Sequence, residues 1–138
     1  MNLLPIPKIT LLYAGVLGIM YFLLSVNVIR YRWKEKKGLG HDTHPKDPLF
    51  KAIRIHGNFM EYVPFILLLL AMDEVTMRGD AFLHSIGIGL TLARIFHFIG
   101  ISKSHLVSWQ RSAGVAITFI ILLVLSVNLI LKGASEIF

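Results

Sequence analysis

From Ile9 to Ile29 the chain runs 21 residues without a charged side chain. No other feature limits the fold as strongly. About 20 apolar residues are what a helix needs to cross roughly 30 Å of hydrocarbon. Backbone N–H and C=O groups at that depth have no water to bond, so the segment satisfies itself as a helix. Further apolar blocks follow at about 49–72, 81–101 and 107–131, separated by short polar connectors. Hydrophobic residues make up 55% of the chain and mean hydropathy is +0.69, well above the soluble norm. The sequence predicts an all-α integral membrane four-helix bundle, with residues 1–138 forming one domain. The first block does not read as a signal peptide: it is too long, lacks a basic leader cluster and ends in Asn27-Val-Ile-Arg30 rather than a small-residue cleavage site. The absence of cysteine excludes disulfides, thiolate metal sites and a cysteine nucleophile.

The net charge of +6 raises the possibility of nucleic-acid binding, but its distribution points to topology. The first connector, 30–51, holds seven Lys or Arg against three acids, and the turn at 73–80 holds one against three. Basic connectors stay in the cytoplasm, which puts connectors one and three there and both termini outside, with the acidic turn of Asp73, Glu74, Arg78 and Asp80. The run Arg30-Tyr-Arg32-Trp-Lys34 reads as an interfacial anchor, with Arg30 or Arg32 also able to line an anion site. His41 and His44 lie three apart on a Gly/Pro loop without a third convincing ligand, so a metal is not expected.

Within this frame the second span is unusual. Arg54, Asn58 and Glu61 stand at i, i+4 and i+7, on one helix face over roughly 10 Å of rise. Ionisable groups inside a membrane span are costly and mark function or pairing. Glu61 needs a matching cation, for which Arg54 and Arg94 are the candidates; a purely structural ion pair is the competing reading. Arg94 and His97, at i and i+3, face the same way on the third span. Arg111 and Ser112 open the fourth span and Arg30 closes the first, all at the cytoplasmic end. Pro64 is expected to kink helix two and widen the site, and His84, at the opposite end, reads as an idle interfacial histidine. Several arginines, an amide and one carboxylate suit a zwitterionic ligand with more than one carboxylate. The arginines would grip the carboxylates bidentately, Glu61 the ammonium group and Asn58 the amides. A thiol beside an arginine would deprotonate more readily.

These residues carry a resemblance. Arg54-x-x-x-Asn58-x-x-Glu61-Tyr62-x-Pro64, a basic run after helix one and Ala93-Arg94-Ile-Phe-His97 in helix three resemble the membrane-associated proteins in eicosanoid and glutathione metabolism, in particular the small bacterial inner-membrane members. The likeness covers essentially the whole chain. It implies a homotrimer that binds glutathione at subunit interfaces near the cytoplasmic surface, with no metal. Arg54, Asn58 and Glu61 would bind glutathione, Tyr62, Arg94 and His97 match further contacts, and Arg30 matches a basic residue that reaches the site. Arg111 stands where the family's enzymes place the arginine that stabilises the thiolate, and Ser112 follows it as in the prostaglandin E synthases. Ile101 departs from the pattern, since mammalian members usually carry a tyrosine there.

The resulting expectation is a membrane glutathione transferase that delivers the thiolate to a lipophilic electrophile or peroxide. A non-catalytic lipid- or glutathione-binding scaffold of the same fold is the alternative. A proton-coupled carrier using Glu61, Arg94 and His97 as a relay lacks the internal repeat or paired broken helices of such proteins.

Overall fold

In a computed structural model, described here for residues 5–76 and 79–137, the chain forms four helices: α1 (Lys8–Lys34), α2 (Pro48–Val75), α3 (Asp80–Lys103) and α4 (Trp109–Ile137). Arg78, placed in the acidic turn above, lies outside the described residues. All four are long and apolar enough to cross a membrane. Each covers its expected span, apart from the first residues of the fourth, and most run past it into the flanking charges. α1 is the clearest case. It continues through Arg30 and Arg32 to Lys34, because good helix formers keep the backbone ordered after the hydrocarbon ends. It stops where Lys36 turns left-handed (φ 54°) and the Lys37 N–H bonds back to the Arg32 carbonyl at 3.0 Å. α2 begins where Asp47 accepts the Phe50 N–H at 2.6 Å, with Pro48 in the first turn.

α2 and α3 form the middle of the bundle. α1 packs on both of them, α4 packs on both from the other side, and α1 and α4 do not meet. The core is a column of Leu17 and Leu24 from α1, Phe59 and Ile66 from α2, Leu83 and Leu90 from α3, and Leu125 from α4. Large apolar side chains also cover the outside, among them Leu11, Phe22, Leu68, Leu123 and Ile130. That exterior is the reverse of a soluble protein's and suits lipid.

Two clasps close the end of the bundle where α1 starts and α4 finishes. The Glu74 carboxylate accepts the Ile9 and Thr10 N–H groups, both at 2.8 Å, capping the positive end of α1. Lys132 of α4 pairs with the fully buried Asp73 at 2.8 Å and donates to Thr76. Nearby, the Tyr13 hydroxyl and His84 Nδ1 are 3.0 Å apart, so His84 is not idle but ties α3 to α1. Gly87 makes room for this contact: a Cβ there would strike the Tyr13 ring.

Candidate functional site

The opposite end of the bundle carries an open pocket of about 330 Å³ between α2, α3 and α4. Lys51, Arg54 and Asn58 reach it from α2, His97 and Ile101 from α3, and Arg111 from α4. Among the described residues no carboxylate lines it, so three cations face one cavity without an internal counter-ion. A cavity of this size lies at the small end of ligand sites.

Two glycines bring Arg111 into the pocket. At Gly100 a Cβ would lie 2.5 Å from the Arg111 nitrogen, and at Gly114 a Cβ would lie 2.6 Å from the Ala93 carbonyl oxygen. Their missing side chains let α3 and α4 approach backbone to backbone, the geometry small residues permit between membrane helices. Arg111 therefore begins α4 directly against the end of α3, in the same pocket as His97.

Arg94 sits beneath this pocket rather than in its lining, buried at 3% exposure. Its guanidinium donates to Asn58 Oδ1 at 2.8 Å, to the Gly114 carbonyl at 3.3 Å and to the Thr118 hydroxyl. Thr118 in turn donates to the Gly114 carbonyl at 2.7 Å. A guanidinium only donates, so it fixes the Asn58 amide with its oxygen turned to Arg94 and its NH2 left for another acceptor.

This arrangement corrects the pairing expected for Glu61. Glu61 forms no ion pair with Arg54 or Arg94 in the protomer; Arg94 is engaged by Asn58, Gly114 and Thr118 instead. The physical reason is the position of the stripe. Arg54 and Glu61 are exposed and Asn58 is half-buried, so the shared face runs along the edge of the protomer. Glu61 thus points away from the bundle some 15 Å into the membrane from Lys51, at ~1.5 Å per residue. Tyr62 turns back toward α4, its ring 5.5 Å from that of Phe119.

Other expected residues fall elsewhere. Arg30 is exposed with its guanidinium 5.7 Å from the Tyr31 ring centroid, outside the pocket lining. Arg32 donates to the Gly38 and Gly40 carbonyls, tying down the first connector, and lies outside this pocket's lining. Ser112 is exposed and does not line the pocket. Pro64 borders a separate apolar groove between α1 and α2 and is not among the residues lining the polar pocket. His41 and His44 are used within their loop: His41 Nδ1 meets the Asp42 carbonyl at 2.8 Å, and His44 Nδ1 accepts the Lys46 N–H at 3.3 Å. The His44 N–H bonds the Asp42 carboxyl, holding it below the usual carboxylate range.

Thr118, Lys51, Ser104 and His105 belong to the site and its support but were not expected there. Thr118 did leave a signal. It interrupts the apolar run of the fourth span, four residues after Gly114 and seven after Arg111, on their face of the helix.

The MAPEG family model matches residues 10–131. The chain belongs to the MAPEG family. Two curated relatives align with it, each named inner membrane protein YecN, from Escherichia coli strain K12 and from Escherichia coli O6:H1. Each is 31% identical over 121 residues, covering 88% of this chain and 90% of the relative. No solved structure matches the chain significantly.

Proposed function

We propose that this MAPEG protein is a membrane glutathione transferase, working as a homotrimer with its polar pocket toward the cytoplasm. The observation that carries this reading is the pocket itself. Lys51, Arg54 and Arg111 converge there with Asn58 and His97, and no acid lines it. Glutathione brings two carboxylates, amides that an Asn NH2 can bond, and a thiol that a cation activates. Its ammonium group needs a carboxylate. Glu61 is the candidate, and it lies on the protomer's outer face within the membrane-spanning part of α2. An exposed carboxylate at that depth is costly against lipid, which favours a neighbouring subunit covering this edge and completing the site. The same relative's printed name, inner membrane protein, supports an inner-membrane location, and the basic first connector supports cytoplasmic placement of the pocket, with both termini outside.

The chemistry follows from Arg111 at the mouth of α4. Its fixed charge stabilises the thiolate and releases the thiol proton to solvent. The sulfur then forms a bond to the electrophilic carbon of a lipophilic substrate while the leaving group departs with its electron pair. Thermal unfolding of the detergent-purified protein with and without glutathione tests binding, and turnover of an aryl halide tests transfer. Arg111→Ala is expected to lose thiolate absorbance and to lower turnover by at least about a hundredfold, the scale of removing one electrostatic stabiliser. Normal turnover in that variant refutes the role of Arg111.

Ile101 keeps a second reading in play. It lines the pocket with an aliphatic side chain where the resemblance leads one to expect a tyrosine hydroxyl. A protein that binds glutathione but turns over none of several electrophiles would be a non-catalytic member of this fold.

A further inference from the structure

A second groove of about 360 Å³ opens at the same end of the bundle, between α1, α2 and α3, and shares only Lys51 with the pocket described above. Lys46 and Lys51 rim it, and Asn27, Tyr31 and Ser102 contribute an amide and two hydroxyls. Again no carboxylate lines it among the described residues. Among the described residues, none of these five polar side chains makes a hydrogen bond or ion pair within the protomer. Tyr31, Lys51 and Ser102 lie in the terminal turns of α1, α2 and α3, which is the level of the membrane surface. Phe98 forms the groove's apolar side. From Phe98 an exposed stripe of Ile95, Leu92 and Ile88 runs along α3 toward the membrane interior, at spacings of three, three and four residues that keep one helix face.

We propose that this groove is a binding site for an anionic phospholipid, whose phosphate headgroup lies between Lys46 and Lys51 and whose acyl chain follows the α3 stripe. Basic pockets between membrane helices on the cytoplasmic side are suited to anionic headgroups. Here the continuity between cationic rim and apolar stripe selects a lipid over a soluble phosphate, which has no use for the stripe. The site shares Lys51 with the proposed glutathione pocket, but its other groups are separate and the assignment does not depend on transferase chemistry.

The test is native mass spectrometry and thermal unfolding of the delipidated, full-length protein with phosphatidylglycerol, phosphatidylcholine or inorganic phosphate. Phosphatidylglycerol is expected to be retained and to raise Tm, with phosphatidylcholine and inorganic phosphate at equal concentration doing neither. Lys46→Gln should weaken retention about fivefold, the scale of one lysine at a charged membrane surface. Tyr31→Phe, which keeps the ring and removes only the hydroxyl, should also weaken it and covers the case in which the lysine variant folds poorly. Lys36→Gln/Lys37→Gln lies outside the groove and should retain the lipid. Equal retention of both lipids, full stabilisation by inorganic phosphate alone, or the same loss in Lys36→Gln/Lys37→Gln as in Lys46→Gln overturns the assignment.

Discussion

Thr118→Val is the sharpest probe of how the site is supported, because it changes shape little and removes one hydroxyl. Thr118 is 1% exposed. Its hydroxyl donates to the Gly114 carbonyl at 2.7 Å and accepts from the Arg94 guanidinium, itself 3% exposed. Valine leaves that guanidinium with the Gly114 carbonyl and Asn58 as its remaining acceptors. A hydrogen bond to a charged group contributes about 1.5–3 kcal/mol, and a buried donor left short of an acceptor is penalised on the same scale. A destabilisation of about 2 kcal/mol follows, or roughly 4–8 °C in Tm at ~2–4 °C per kcal/mol. There is a functional consequence too. Arg94 holds the Asn58 oxygen, so a displaced Arg94 frees the amide to turn, and glutathione affinity should fall about fivefold, ~1 kcal/mol for one hydrogen bond. Thermal unfolding and calorimetric titration with glutathione measure the two effects. Thr118→Ser, which restores the hydroxyl, should recover most of both. A Thr118→Val protein with unchanged Tm and unchanged glutathione response, or a Thr118→Ser protein as impaired as it, refutes the network as the support of Asn58.

Three further outcomes follow from the geometry. Glu74→Ala removes the cap on Ile9 and Thr10 and should cost about 1–2 kcal/mol, as cap deletions do; hydrogen exchange should locate the loss in the first turn of α1, with the α3–α4 amides unaffected. Lys132→Met removes one partner of the buried Asp73 carboxylate and should lower Tm, since a buried charge loses a matching cation; Asp73→Asn/Lys132→Met should recover part of the lost Tm. Gly100→Ala places a methyl group 2.5 Å from the Arg111 nitrogen and must push the start of α4 away. A fall of at least about tenfold in turnover is expected, in line with the sensitivity of catalysis to small misplacements, together with a raised thiol pKa in the glutathione complex.

Much of this architecture was legible in the sequence because hydrocarbon imposes a simple rule. Apolar runs long enough to span it with few charges appear as helices, and all four do. The convergence of Arg54, Asn58, His97 and Arg111 at one end was also readable, since alternating helix direction carries the polar residues of several spans to the same side. What stayed hidden depends on rotation about each helix axis. The residues that share a face on α2 do not share a partner: the Arg94 guanidinium is held by Thr118 and Gly114 of α4 and by Asn58 of α2, where α3 and α4 approach closely at Gly100 and Gly114, and not by Glu61. Glycine lacks the side chain that would announce such a contact. Asp73 and Glu74 were hidden differently. They read as charges of a connecting turn, but α2 carries them to where α1 begins and α4 ends, and that meeting exists only in the assembled bundle.

The placement of charge in the protomer bears directly on the proposed trimer. The pocket gathers Lys51, Arg54 and Arg111 without an acid, while the carboxylate of the same α2 stripe, Glu61, faces outward. A ligand with carboxylates at both ends and an ammonium at one would be bound by the protomer only in part, through its anionic groups. The cationic group would find Glu61 only by lying along the outer edge of α2, where lipid is a poor host for both charges. A second copy packed on that edge removes the conflict: it excludes lipid from Glu61 and turns an exposed stripe into one wall of a cleft. On this argument glutathione and subunit contact reinforce one another, so glutathione should stabilise the oligomer as well as the fold. Glu61→Gln should weaken glutathione binding and, through the lost bridge, loosen the assembly. Cross-linking of the purified protein with and without glutathione reads out that coupling. If the cross-linked species are the same under both conditions while glutathione still raises Tm, the ligand is held within a single protomer and the shared cleft is wrong.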